Sequence, residues 1–167
     1  MPSYKYKQFM KINIGIKEEH RTAVAEQLAR VLADEFVLYT KTRNAHWNIE
    51  GADFHSMHLF FEEQYNQLDE LMDSVAERMR QIGHYAPATL QQFLQLTHLT
   101  EKRESKNDSL GYLAELLADH ESIIMFIRGN INPVAIDFQD AGTSDFLTGL
   151  METHEEIAWK LRSHFKS

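Results

Sequence analysis

Residues 84–107 read HYAPATLQQFLQLTHLTEKRESKN, and they separate two long segments that both carry the apolar period of a helix. A link of this length is far more than an antiparallel helix turn needs. It can carry the chain back along a bundle, so the helices on either side are expected to run parallel. Pro87-Ala88-Thr89-Leu90-Gln91-Gln92-Phe93-Leu94 can form a short helix within it.

Working outward, the segment before the link runs from about Phe54 to Gly83. Met57, Phe61, Leu68, Leu71, Met72, Val75, Met79 and Ile82 recur there at helical spacing. Gly83 suits a helix C-terminal stop. Ahead of it, Val24, Leu28, Val31, Leu32, Leu38 and Tyr39 mark a helix from about Lys17 to His46. The short turn Asn48-Ile49-Glu50-Gly51-Ala52 makes these two helices antiparallel neighbours. After the link, a third helix starts at Asp108 or Ser109, either one a suitable N-cap, and runs to about Arg128. A fourth follows Thr143-Ser144 and reaches about Phe165. The expected fold is all-α: a four-helix bundle over residues 17–167, with a basic N-terminal extension over residues 1–16.

Composition bounds the chemistry. At 167 residues the chain fits one domain with a substantial core. It contains no cysteine, so any metal must be held by His, Asp and Glu. No apolar run is long enough to span a membrane, and the N-terminus lacks the apolar stretch of a signal peptide, so a cytoplasmic location is expected. The net charge of −8 opposes a general nucleic-acid binder. Lys5, Lys7, Lys11 and Lys17 nevertheless make residues 1–17 basic.

Five residues form a constellation with metal-ligand spacing. His46 ends the first helix, His58 and Glu62 are i,i+4 on the second, and Asp73 and Glu77 are i,i+4 further along it. Imidazoles with carboxylates suit ferrous iron, and zinc or manganese also fit such a set. The two pairs on the second helix are separated by roughly 22 Å at the rise of an α-helix. They cannot share one ion within a chain. Either there are two weak sites, or the pairs meet across a two-fold axis between two copies. No Asp or Glu is followed three residues later by His, so the Glu-x-x-His pairs of an intrabundle di-iron site are lacking.

The run His46-Trp47-Asn48-x-x-Gly51-x-x-Phe54-x-x-x-His58-x-x-x-Glu62-x-x-Tyr65, followed by Asp73-x-x-Ala76-Glu77-Arg78, closely resembles the Dps family, mini-ferritins of the ferritin-like superfamily. The resemblance extends from about Ile14 to Phe165. It implies a hollow dodecamer that oxidises Fe(II), preferentially with hydrogen peroxide, and stores Fe(III) mineral, with no organic cofactor. It also implies a ligand division of His46, His58 and Glu62 from one subunit and Asp73 and Glu77 from its two-fold mate. Many members have Asp where this chain has Glu62, so this arm is one methylene longer. Trp47 and Trp159 resemble family tryptophans and are candidates to intercept radicals. Residues 140–146 resemble a segment lining three-fold pores, with Asp140 and Asp145 drawing cations inward.

Other residues receive plainer readings. His55, His84, His98, His120, His154 and His164 are read as surface or packing residues, and Glu63 as a solvated or interface carboxylate. An alternative function is DNA protection through a lysine-containing tail, with Lys5, Lys7 and Lys11 on phosphates. A shell without redox activity is a third reading, opposed by the complete ligand set.

Overall fold

The computed structural model describes residues 12–102 and 106–165; Lys5, Lys7 and Lys11 lie outside them. Among the described residues every regular element is a helix. α1 (Glu18–Asn48) and α2 (Phe54–Gln81) pack along their length, as do α4 (Ser109–Ile136) and α5 (Ala141–Arg162). The short α3 (Leu90–Leu96) lies on α1, within the long link. α2 and α4 start at the same end of the bundle. There the Ser109 hydroxyl donates to the Asp53 carboxylate, and the Glu50 N–H donates to the Asn107 carbonyl at 2.8 Å. The expected bundle with one long crossover is present, and α2 and α4 are parallel.

Local chemistry sets the helix ends. α2 stops in a Schellman turn: the Gly83 N–H reaches the Arg80 carbonyl and the His84 N–H reaches the Met79 carbonyl, both at 3.0 Å. Gly83 adopts φ +95°, and a Cβ there would stand 2.2 Å from the Ile12 side chain and 2.8 Å from the Arg21 guanidinium. Both backbone and space therefore require glycine. Asp108, rather than Ser109, caps α4, accepting from the Gly111 N–H at 2.8 Å.

α4 runs on to Ile136, well past the expected end near Arg128. Pro133 forfeits its own N–H bond and crowds the Gly129 carbonyl, and the helix continues through it. Val134 is fully buried and Ile131 packs on the core, so the apolar face continues through the proline. α5 likewise begins earlier than expected, at Ala141, because Asp140 caps it.

The crossover is pinned rather than loose. Thr89 and Gln92 form a capping box at the start of α3. Phe93 stacks on Phe36 with ring centroids 4.4 Å apart. The buried Asp34 carboxylate accepts from the Thr97 hydroxyl and the His98 N–H, both at 2.6 Å, and lies 3.0 Å from His98 Nδ1.

The core between the helix pairs is aliphatic and aromatic, with Leu28, Leu38, Phe61, Leu68, Ile127 and Leu161 completely buried. Each such side chain contributes about 1.5–3 kcal/mol of burial. One polar chain interrupts it. Glu35 of α1 lies 2.5 Å from His154 Nε2 of α5, and His154 Nδ1 lies 2.8 Å from His120 Nδ1 of α4. All three are 0% exposed. Burial, then the neighbouring His154, pushes the His120 imidazole well below its ordinary value. His120 and His154 were expected on the surface or in packing; they are packed, but as a hydrogen-bonded chain across three helices.

Candidate metal centre

The α1–α2 turn is short, so the last turn of α1 faces the first turns of α2. This brings His46 and His58 together. Their rings stack with centroids 3.7 Å apart and planes 22° from parallel. His46 Nδ1 lies 2.8 Å from the His58 carbonyl, and His58 Nδ1 lies 2.7 Å from the His46 carbonyl. A carbonyl only accepts, so each Nδ1 carries the proton and the neutral ring keeps its lone pair on Nε2. Holding Nδ1–H on a carbonyl is the usual way a ligating imidazole is oriented.

Glu62 stands one turn beyond His58 and is half-buried. Its Oε1 accepts from the Tyr65 hydroxyl at 3.2 Å. The Tyr65 ring meets His46 edge-on at 5.1 Å, which ties Glu62 to the imidazole pair. Burial, then the Glu62 carboxylate, raises the Tyr65 phenol above its ordinary value. Phe54 flanks the other side of His58, ring centroids 5.1 Å apart.

Asp73 and Glu77 sit elsewhere. Both are exposed on α2, further along the helix from His58 and Glu62. Among the described residues of one chain, no group of three or more His, Asp and Glu side chains is arranged to hold a metal ion. One chain thus carries two separated fragments: an imidazole pair with a carboxylate, and an exposed carboxylate pair. The donor types in the first fragment, two borderline nitrogens and a hard oxygen, fit ferrous iron.

The remaining expected site residues divide. Trp47 adjoins His46 with 67% of its surface exposed, and Trp159 on α5 is 62% exposed. Asp140 is 2% exposed, and its carboxylate accepts from the Thr143 N–H at 2.8 Å, the Thr143 hydroxyl at 2.6 Å and Arg78 at 3.3 Å. That carboxylate is committed to capping α5 and tying it to α2. Asp145 is exposed. Sequence reading left Tyr39 and Arg43 without a role at the site. Arg43 Nε donates to the Tyr39 hydroxyl at 2.9 Å, and its guanidinium lies 3.9 Å from the Tyr65 ring centroid. The available signal was spacing: Tyr39, Arg43 and Trp47 are successive i,i+4 positions on α1, whose last turn holds His46.

A ferritin-like domain matches residues 25–167. The chain is 44% identical over 153 residues to an uncharacterized low temperature-induced protein of Nostoc sp., across 92% of this chain and 86% of that one. It is 31% identical over 140 residues to DNA protection during starvation protein 2 of Bacillus anthracis, across 84% of this chain and 94% of that one. In structure it is similar to the Dps protein of Vibrio cholerae O1, described as one of the ferritin-like diiron-carboxylate proteins. The TM-score is 0.86 at 26% identity, over 94% of this chain and 98% of that one. Among the described residues no helix is long and apolar enough to cross a membrane.

Proposed function

The chain belongs to the Dps family of ferritin-like proteins, and we propose that it oxidises Fe(II) with hydrogen peroxide at a centre shared between two copies and stores the Fe(III) product inside a closed dodecameric shell. One observation carries this reading. The two imidazoles are held by reciprocal Nδ1–H bonds to each other's carbonyls, which puts the lone pair of each ring on Nε2, and Glu62 stands one turn beyond His58 on the same helix.

Fe(II) is the substrate. His46, His58 and Glu62 of one copy, with Asp73 and Glu77 of the other, supply the ligands. The carboxylates offset the metal charge, and the imidazoles hold their orientation without a change of rotamer. Two Fe(II) ions give one electron each to a peroxide, whose O–O bond breaks with uptake of protons to give water. Because both electrons arrive together, release of hydroxyl radical is suppressed. The exposed indoles of Trp47 and Trp159 intercept radicals that escape this pairing. Asp145 draws cations toward the shell interior, and Asp140 acts by holding the segment that carries it.

The test is the double variant His46→Ala/Asp73→Ala, assayed for Fe(II) oxidation by peroxide in the assembled protein. Activity should collapse to the rate without protein. Full activity in a variant that still assembles refutes the proposal.

A further inference from the structure

Among His46, His58 and Glu62, Glu62 has the most freedom, because its carboxylate stands at the end of a flexible arm on a half-buried helix face. Something must hold that arm if it is to meet a metal in one geometry. The structure supplies a holder. Tyr65, one turn further on and buried, donates its hydroxyl to Glu62 Oε1 at 3.2 Å, leaving Oε2 for a metal ion.

Tyr65 is itself fixed on three sides. Its ring meets His46 edge-on at 5.1 Å and Tyr39 edge-on at 6.2 Å. The Arg43 guanidinium covers its face at 3.9 Å, within the range of a cation–π contact. Arg43 is held in turn by its bond to the Tyr39 hydroxyl at 2.9 Å. The hydrogen bond to Tyr39 is also the main reason that Arg43 is raised above its ordinary value. A planar guanidinium can stack and donate sideways at once, which a lysine ammonium cannot.

We infer that Tyr65 is a positioning residue for the metal centre, holding the Glu62 carboxylate in its ligating orientation, and that Arg43 and Tyr39 hold Tyr65 in place. This rests on the metal-centre reading of the same site. It predicts an effect on metal affinity rather than on the chemical step, because Tyr65 acts through Glu62.

The experiment compares assembled wild-type protein with Tyr65→Phe, Glu62→Asp and the two combined. Zn(II) binding is measured by calorimetry, and KM and kcat for Fe(II) oxidation in parallel. Phenylalanine keeps the ring contacts and removes only the hydroxyl. A hydrogen bond to a charged group is worth about a factor of ten or more in affinity. Tyr65→Phe should therefore weaken Zn(II) binding about tenfold and raise KM for Fe(II), with kcat nearly unchanged. In the Glu62→Asp background the shorter arm falls short of the hydroxyl, so the same substitution should cost less than about twofold. An equal penalty in both backgrounds, or no penalty in either, overturns the positioning role. Wild-type protein that binds no Zn(II) and oxidises no Fe(II) overturns the metal centre itself, and this inference with it.

Discussion

Replacing His154 with leucine tests the polar chain in the core. The parent holds Glu35 against His154 Nε2 at 2.5 Å, with His120 on the other side of the same ring at 2.8 Å. None of the three has any exposed surface. Among the described residues the other buried charged groups are committed elsewhere: Asp34 to Thr97 and His98, Lys41 to Asp119, Asp140 to Arg78, and Arg21 to the Ile82 carbonyl. None of these bonds involves Glu35, so in His154→Leu the carboxylate is stranded.

Breaking a buried pair in this way costs roughly 3–5 kcal/mol. The protein can limit the loss by folding with the carboxyl protonated. At pH 7, protonating a glutamate of ordinary acidity costs about 4 kcal/mol, which caps this part. Losing the bond at His120 Nδ1 adds about 1–3 kcal/mol. The triple variant Glu35→Leu/His120→Leu/His154→Leu removes every stranded group and should be at least as stable as the parent. Urea midpoints at fixed protein concentration and several pH values decide it. A single variant as stable as the parent at pH 7, or a triple variant as damaged as the single, refutes the argument.

Two further predictions concern pH and assembly. The folded His120 is held neutral, whereas the unfolded chain protonates it below about pH 6.5. Its contribution to stability is therefore complete above that value and is lost as pH falls, by at most about 1.4 kcal/mol per unit. Urea midpoints between pH 7 and pH 5 should show this slope, and His120→Leu should flatten it. Shells co-assembled from equal amounts of His46→Ala and Asp73→Ala chains should recover about a quarter of wild-type Fe(II) oxidation, since a random two-fold pairing leaves that share of centres intact. Recovery no greater than that of either variant alone would mean that the fragments do not meet between copies.

The parts legible in the sequence were those written in local patterns. The apolar period located α1 and α2 to within a few residues, the link length settled the parallel run of α2 and α4, and Gly83 marked a turn that only glycine fits. Where local signals pointed away from tertiary packing, the reading fell short. The third helix was expected to end near Arg128, yet Val134 and Ile131 still had a core to cover, so α4 continued. Thr143-Ser144-Asp145 read as the start of α5, but the cap is Asp140, whose carboxylate also binds Arg78 from a distant helix.

The site divides along the same line. His58 and Glu62 were findable because an i,i+4 pair shares a helix face, and the short turn carried His46 to them. The reciprocal bonds that orient the imidazoles involve backbone carbonyls, which no residue type announces. Glu35, His120 and His154 are scattered along the chain and come from three helices, so no spacing rule joins them. In sequence they were three ordinary polar residues; in the fold all three are fully buried and hydrogen-bonded in a chain. The two constellations differ in what they ask of a second copy. The core chain is built from one copy alone and bears on whether that copy folds. The stacked imidazole pair and the exposed Asp73 and Glu77 lie apart on one copy. If the proposed shared centre forms, a second copy supplies the ligands that one copy lacks, and assembly and metal binding should stabilise each other.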